Sequence, residues 1–181
     1  MKSLFLIAAL ALPSAMETGW IPHMDAPVWA RIQMVRMLQA FTSEYVEHNE
    51  RRVLVMGGLW RMVDVMRRNR IKAYGLHVGR PGSRFIVQGV DLFIPFARES
   101  FSIVINDHAM DRIMDLMVLR VKEMARVLVP GGFLLTPSEP SDRVDHYLQQ
   151  IHFERLPWTF QNLAIFQKKG AHRIYWGARS A

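Results

Sequence analysis

Seven short segments rich in apolar residues are interspersed with segments in which apolar residues recur every three or four positions. The short segments are typical of buried strands, and the three-to-four spacing is typical of amphipathic helices. The pattern predicts strands at 53–56, 71–76, 84–88, 101–105, 133–136, 153–156 and 163–167. It predicts helices at 25–49, 59–69, 109–128 and 141–151.

The order of these elements predicts the fold class. Strands that alternate with helices favour an α/β domain built around a mainly parallel sheet. One connection departs from this rule, because only about eight residues separate the second strand from the third. A parallel crossover usually takes a dozen or more residues, including a helix. Either this crossover is reduced to a loop, or the two strands pair in an unusual way.

The amino-terminal segment differs from the rest of the chain in composition. Lys2 precedes nine apolar residues at 4–12, and small residues follow at 13–15. This order is that of a secretory signal. Nine helical residues span only about 14 Å, against about 30 Å for a hydrocarbon core. We expect a signal-like or short anchoring segment with a proline-broken linker at 1–27, followed by a single domain at 28–181.

Two localisations follow from two interpretations of this segment. A signal or anchor would bring the protein to a membrane, the secretory pathway or an organelle. An apolar terminal helix packed on a partner would leave the protein in the cytoplasm. The chain has no cysteine, whereas secreted domains often use disulfides. This absence also excludes a cysteine zinc site and a thiol nucleophile, and the seven histidines lack metal-helix spacing, so no metal site is predicted.

Positive charge is concentrated in one region of the chain. The formal net charge is +7, and residues 51–84 contain nine Arg and Lys against a single acid, Asp64. A solvated helix face would explain this charge, and so would a docking patch for an anionic partner. No aromatic residues are interleaved for base stacking, so nucleic acid is the less favoured partner. A protein partner or a membrane surface is the expected one.

The order of motifs from Arg51 to Lys169, about two thirds of the chain, resembles class I S-adenosylmethionine-dependent methyltransferases, especially the type 11 group. The most specific part is IPFARESF at 94–101, followed by a strand and by EMARVLVPGGFLL at 123–135. RRVLVMGGLW at 51–60 is similar to the family's first strand and glycine loop. The shortened second crossover is similar to a plant subgroup of membrane-anchored methyltransferase-like proteins.

The resemblance implies a Rossmann-like methyltransferase fold with a mainly parallel sheet and an antiparallel C-terminal strand. It also implies S-adenosylmethionine as the cofactor. The candidate cofactor-binding residues that it carries over are Gly57, Gly58, His77, Asp91 and Asn106. Asp91 is placed near the adenine, although the spacing to Pro95 would also align Val90 with that position.

Several of the family's ligand-binding positions are changed in this chain. Three positions where the family has an acidic residue are changed: Val55 replaces the acid before the loop, His77 replaces the acid that binds the ribose, and Ser102 replaces a further acid. In the loop itself, Leu59 replaces a glycine, and Trp60 follows it. A hydrogen bond to a charged partner contributes about 1.5–3 kcal/mol, so several such losses would weaken cofactor binding by orders of magnitude. A neutral histidine at position 77 could still accept one bond.

Asn106, Asp107 and His108 follow the fourth strand, where many of the resembling enzymes bind the methyl acceptor. His108 could act as a general base near neutral pH, which makes Asp107 and His108 candidate catalytic residues. The same three residues would also form an ordinary strand-to-helix turn in which Asn106 or Asp107 caps the next helix. Both interpretations remain open.

Two functions are therefore expected. The first is a degenerate methyltransferase-like domain that is not catalytic and acts as an interaction module at a membrane or in a complex. The alternative is an active S-adenosylmethionine-dependent methyltransferase with an atypical cofactor pocket and an unknown acceptor.

Overall fold

The computed structural model describes residues 35–36, 38–40, 52–57, 62–79, 83–106, 114–137, 142–160 and 163–170. The predicted segment at 1–27 lies outside these residues, as do Gly58, Asp107 and His108. Of the helix predicted at 25–49, the described residues 35–36 and 38–40 are helical. No helix within the described ranges is long and apolar enough to cross a membrane.

A seven-stranded sheet forms the centre of the molecule. Its strands, in chain order, are β1 (Arg52–Met56), β2 (Lys72–His77), β3 (Ile86–Gln88), β4 (Phe101–Asn106), β5 (Leu128–Pro137), β6 (Phe153–Phe160) and β7 (Leu163–Lys168). The order across the sheet is β3-β2-β1-β4-β5-β7-β6. The first five strands pair in parallel, whereas β7 runs antiparallel to both β5 and β6. The predicted α/β class, with its mainly parallel sheet and antiparallel C-terminal strand, is confirmed.

The short connection between β2 and β3 is reduced to a loop. The two strands are parallel, with Gly75 opposite Ile86 and His77 opposite Gln88. Residues 78–85 make the whole connection, which is too short for a packed crossover helix. The first of the two sequence alternatives is therefore confirmed, and no described helix connects β2 to β3.

Apolar residues on both faces of the sheet build two core layers. The helices are α1 (Val63–Arg68), α2 (Met114–Val127) and α3 (Asp142–Gln150). Helix α1 packs on one face through Val63 and Met66, together with the helical residues Val35 and Leu38. Helices α2 and α3 contribute to the core on the other face. Every residue of β4 is buried, as expected for a central strand covered on both sides.

Strand β5 begins five residues earlier than the sequence predicts. Pro130 and the two glycines after it end the helical pattern, yet they lie inside the strand because the ladder with β4 shifts register here. Gly131 adopts φ = +80°, a conformation that favours glycine. A Cβ atom on Gly132 would lie 2.9 Å from the Val129 carbonyl oxygen, so both glycines are needed for the bulge.

Candidate functional site

The carboxyl ends of the parallel strands bring three of the candidate residues to one edge of the sheet. Gly57 follows β1, His77 ends β2 and Asn106 ends β4. Met56 and Asn106 are register partners, so Gly57 follows directly beside the end of β4. The order of the strands reverses between β1 and β4, and in open α/β sheets ligands bind at this switch point. We call this edge, after β1 to β4, the carboxyl edge.

The turn after β1 keeps its glycine conformation but offers no carboxylate among its described residues. Gly57 has φ = +80°, which places the backbone in the left-handed region that the tight turn requires. Val55, at the position of the family's acid, is fully buried and pairs with Ile105 of β4. An ionised side chain at this position would have to leave water without a partner, which is costly. The end of β1 is therefore built for packing.

His77 ends β2 with its ring folded back on the chain. The Gly79 N–H donates to Nδ1 of His77 at 3.1 Å. In the neutral ring the other nitrogen, Nε2, then carries the hydrogen and can only donate. A Cβ on Gly79 would lie 2.9 Å from Cε1 of the ring, so glycine permits this close approach. The nitrogen that could have accepted a bond from a ribose hydroxyl is already occupied.

An open apolar depression lies beside His77, at the outer end of the carboxyl edge. Its volume is about 300 Å³, and it is lined by Val78, Gln88, Gly89, Val90, Phe93 and Pro95. Phe93 is 71% exposed and Val78 is 68% exposed. A Cβ on Gly89 would lie 2.8 Å from Cδ1 of Leu76, so the chain passes closely over β2 here. A flat apolar or aromatic group would fit this depression.

Sequence reasoning did not single out Val78 or Phe93. Both are apolar residues in connections between strands, a place where polar residues predominate. Large apolar side chains in such connections were the one available sign of a surface depression. Val78 and Phe93 line one depression because the short crossover places the loop after β2 beside the loop after β3.

Asp91 lies in the turn after β3 and is held by an ion pair. Its Oδ2 is 2.7 Å from Nε of Arg120, which lies on α2. The side chains of the pair are 28% and 21% exposed for Arg120 and Asp91. The sequence prediction placed Asp91 near an adenine, whereas in the structure it ties the turn after β3 to α2. Val90, its alternative, is exposed and lines the depression.

Ser102 and Asn106, both on β4, are buried. The Ser102 hydroxyl accepts from the Arg52 N–H at 3.1 Å and donates to the Arg52 carbonyl at 3.0 Å. This hydroxyl therefore extends the β1–β4 ladder, which begins at Val53 and Ile103. A carboxylate at position 102 could accept the first bond but could not donate the second. Serine at this position therefore stabilises the pairing of β1 with β4, which an acid could do only in part.

The motif that carries the resemblance forms a clamp between α2 and the segment before β4. Arg126 donates to the carbonyls of Ile94 and Phe96, both at 2.8 Å, and to the Glu123 carboxylate at 2.8 and 2.9 Å. The Ile94 N–H donates to Glu123 Oε2 at 2.9 Å. The hydrogen bonds from Arg126, together with that from the Ile94 N–H and against a smaller opposing effect of burial, hold the pKa of the Glu123 carboxyl below its usual range. We call these residues the Glu123–Arg126 clamp.

Lys168 makes a second contact of this kind at the same carboxyl-terminal end of α2. Its Nζ donates to the carbonyls of Ala125 and Leu128, both at 2.8 Å, and so satisfies groups at the carboxyl end of the helix. Burial lowers the pKa of the Lys168 amine, against a weaker opposing effect of Glu99. Polar groups with shifted pKa values thus serve the packing of α2.

The described residues of the carboxyl edge do not fit an S-adenosyl cofactor well. Val55 supplies no charge, His77 has its acceptor nitrogen bonded within the chain, and Asp91 is paired with Arg120. A ribose with two hydroxyl donors and a sulfonium with a positive charge both need acceptors or carboxylates. Only the backbone conformation of Gly57 and the apolar depression match what such a ligand would need. Within the described ranges, no three metal-ligating side chains form a group.

The sheet order defines the fold class. A parallel sheet that reverses between β1 and β4 and closes with an antiparallel β7 inserted before β6 is the class I methyltransferase fold. The protein has this fold, as the resemblance predicted. Neither a protein-family model nor a curated protein matches the chain.

Solved structures with this fold include enzymes of different activities. The N-methyltransferase NodS from Bradyrhizobium japonicum, with bound S-adenosylhomocysteine, superposes with a TM-score of 0.55 at 14% identity, over 93% of this chain and 99% of NodS. A Burkholderia thailandensis 1,6-didemethyltoxoflavin-N1-methyltransferase gives 0.51 at 15% identity, over 78% and 81%. The cyclase SpnF gives 0.53 at 18% identity, over 86% and 68%. At these identities the likeness concerns the fold alone, and one of the three acts as a cyclase.

Proposed function

We propose that this protein is a degenerate methyltransferase-like domain that does not transfer methyl groups and acts as an interaction module, at a membrane or within a complex. The observation that carries the proposal is the state of the described side chains at the carboxyl edge. At the ends of β1 to β3, the described side chains that could hold a nucleoside sulfonium are apolar, bonded within the chain or ion-paired.

An S-adenosyl ligand at the carboxyl edge would have to displace contacts that the chain already makes there. Seating a ribose on His77 would break the bond from Gly79 or require the ring to turn. Recruiting Asp91 would separate it from Arg120 and leave a half-buried cation unpaired. Each such change costs on the order of 1–3 kcal/mol before any ligand contact is gained. These costs support weak or absent cofactor binding.

The alternative is a methyltransferase with an atypical pocket, and two observations favour it over other enzyme classes. Gly57 has the conformation of a ligand-approaching turn, and the depression beside His77 is lined by the exposed Phe93 and Val78. In this alternative an adenine would lie in the depression. Asn106 at the end of β4, followed by Asp107 and His108 in the sequence, would then face the methyl acceptor.

Thermal unfolding of the full chain with S-adenosylmethionine or S-adenosylhomocysteine distinguishes the two. We expect no change of the midpoint at about 1 mM of either compound. Binding would be easily detected, because a ligand at 100 times its Kd adds about 2.7 kcal/mol of stability. A clear rise of the midpoint would contradict the proposal.

A matched pair of variants would then locate the ligand. Phe93 lines the depression, whereas Leu119 is an exposed apolar residue, 49% accessible, on α2. If a rise is seen and Phe93→Ala removes it while Leu119→Ala does not, the alternative function is supported. If both variants keep the rise of the midpoint, the ligand binds elsewhere on the chain.

A further inference from the structure

Four cations lie together at the edge of the sheet opposite the depression. Arg52 begins β1 and Lys72 begins β2, and the two are direct register partners. Parallel neighbouring strands are about 4.8 Å apart, so both side chains emerge at the same amino-terminal edge. Arg68 ends α1, and Arg70 lies in the turn that leads from α1 into β2. We call Arg52, Arg68, Arg70 and Lys72 the basic edge.

These four side chains are exposed and carry no acidic partner within the described residues. The acid of this region, Asp64, is in the first turn of the six-residue helix α1, one turn before Arg68, and it accepts a bond from the Ser83 hydroxyl at 3.0 Å. Glu44, Glu47 and Glu50 precede β1 in the sequence and lie outside the described residues. Among the described residues, the basic edge thus consists of four cations and no acid.

A neighbouring arginine shows what a structural role looks like in this region. Arg67 donates from Nε to the Ala73 carbonyl at 2.8 Å. Its guanidinium lies 4.6 Å from the Tyr74 ring centroid and 3.8 Å from that of Phe85. Arg67 is thus fixed by the fold and is left out of the basic edge. Within the described part of the chain, the structure shows no such contact for the four exposed cations, so their charge is not accounted for by a described structural contact.

We propose that the basic edge docks on an anionic lipid bilayer. This proposal deepens the interaction function above by naming its partner, and it concerns the edge of the sheet opposite the cofactor position. Charge complementarity supports it, because each Lys or Arg near an anionic bilayer strengthens binding roughly fivefold. The nine apolar residues at 4–12 supply a second membrane-seeking feature in the sequence. A single weak signal binds membranes only marginally, whereas an apolar anchor with a polybasic patch binds stably.

A nucleic acid fits this surface less well than a bilayer. Single-stranded nucleic acids are held by basic residues together with aromatic rings on which bases stack. Among the described residues the exposed aromatic is Phe93, which lies at the carboxyl edge. Tyr74 and Phe85, near the basic edge, are half-buried and covered by Arg67. The chemistry at the basic edge is therefore charge alone, which a lipid headgroup layer satisfies.

Cosedimentation of the full chain with vesicles tests the proposal. Vesicles of phosphatidylcholine with about 30 mol% phosphatidylserine are compared with phosphatidylcholine alone. We expect clear binding to the anionic vesicles, weaker binding to the neutral ones and a decrease with salt, because exposed charges are screened. The triple variant Arg68→Gln, Arg70→Gln, Lys72→Gln should bind anionic vesicles on the order of 100-fold more weakly.

Single lysine variants provide the matched control. Lys72→Gln should weaken binding roughly fivefold. Lys122→Gln removes the same charge from an exposed position on α2 and should leave binding unchanged. An unchanged unfolding midpoint in both variants, and in the triple variant, shows that the fold is intact.

Several outcomes would overturn the docking proposal. Equal binding to neutral and anionic vesicles would assign membrane binding to the apolar segment alone. Equal losses in Lys72→Gln and Lys122→Gln would reduce the effect to net charge. If polyuridylate binds more tightly than the anionic vesicles and the triple variant loses this binding, the partner is a nucleic acid. If polyglutamate does so, the partner is an acidic protein. None of these outcomes bears on cofactor binding, so the two proposals fail separately.

Discussion

The Glu123–Arg126 clamp and the carboxyl edge differ in how closely they follow the resembling family. The clamp residues of EMARVLVPGG have all their polar groups engaged, and they fix the segment before β4 onto α2. At the carboxyl edge, Val55 and His77 stand where the family has acids. The comparison teaches that the most recognisable motif of this chain is a structural one, so recognising it predicts the fold and says little about ligand binding.

The same contrast is visible in how polar groups are used. In the clamp, an ionised pair satisfies two carbonyls and one N–H of the chain. At the carboxyl edge, the His77 acceptor and the Asp91 carboxylate are used for local chain geometry and for a contact with α2. In both regions, polar and charged side chains stabilise the fold through contacts within the chain.

Removing Arg126 should have the largest effect on stability. Arg126→Met leaves the carbonyls of Ile94 and Phe96 without donors and Glu123 without its partner. We expect a loss of roughly 3 kcal/mol in the free energy of unfolding, measured by urea denaturation. Lys122→Met, an exposed position on the same helix, should change it by less than about 0.5 kcal/mol. Similar losses in the two variants would mean that the clamp is not structural.

Acid should weaken the clamp, because protonation of Glu123 removes the charge that pairs with Arg126. Because the pKa of Glu123 is lower in the folded than in the unfolded chain, its stabilising effect is complete above about pH 4.3, the ordinary glutamate value. The effect is lost as pH falls through the lower folded value. The free energy of unfolding should therefore fall more steeply below that pH in the native chain than in Glu123→Gln. Parallel pH profiles would contradict this account.

The smallest effect is expected for Asp91. Asp91→Asn breaks the ion pair with Arg120, whose members are about a quarter exposed, and should cost about 0.5–1 kcal/mol. Glu154→Gln is the control, because the Glu154–Lys169 pair is 59% exposed and 3.7 Å long, and it should cost less. If Asp91→Asn has no effect on stability, Asp91 is available for a ligand and the comparison between the two regions weakens.

Most of the fold could be predicted from local pattern. The predicted strands at 53–56, 101–105 and 163–167 differ from β1, β4 and β7 by one residue at most at either end. Short apolar runs that are buried on both faces give a strong signal. Strand β5 was predicted too short because Pro130 and its glycines signal a break, whereas here they form a bulge inside the strand.

For the candidate site, the sequence could predict where the residues lie in the fold but not which contacts their side chains make. The strand order places the ends of β1, β2 and β4 at one edge of the sheet, which is where Gly57, His77 and Asn106 lie; their role as cofactor-binding residues stays a prediction. Their contacts could not be predicted, because each depends on a partner that the sequence does not indicate. Arg120 is 29 positions from Asp91, and the bond from Gly79 to His77 depends on a ring rotamer. Tertiary partners decide whether a polar residue is available to a ligand.

Isothermal titration of the full chain with S-adenosylhomocysteine tests the central claim most directly. Our account predicts no saturable heat up to about 1 mM, because among the described residues Val55 offers no carboxylate, Nδ1 of His77 is bonded to Gly79 and Asp91 is paired with Arg120. A single-site isotherm with a Kd below about 100 μM would contradict it and would restore the methyltransferase interpretation.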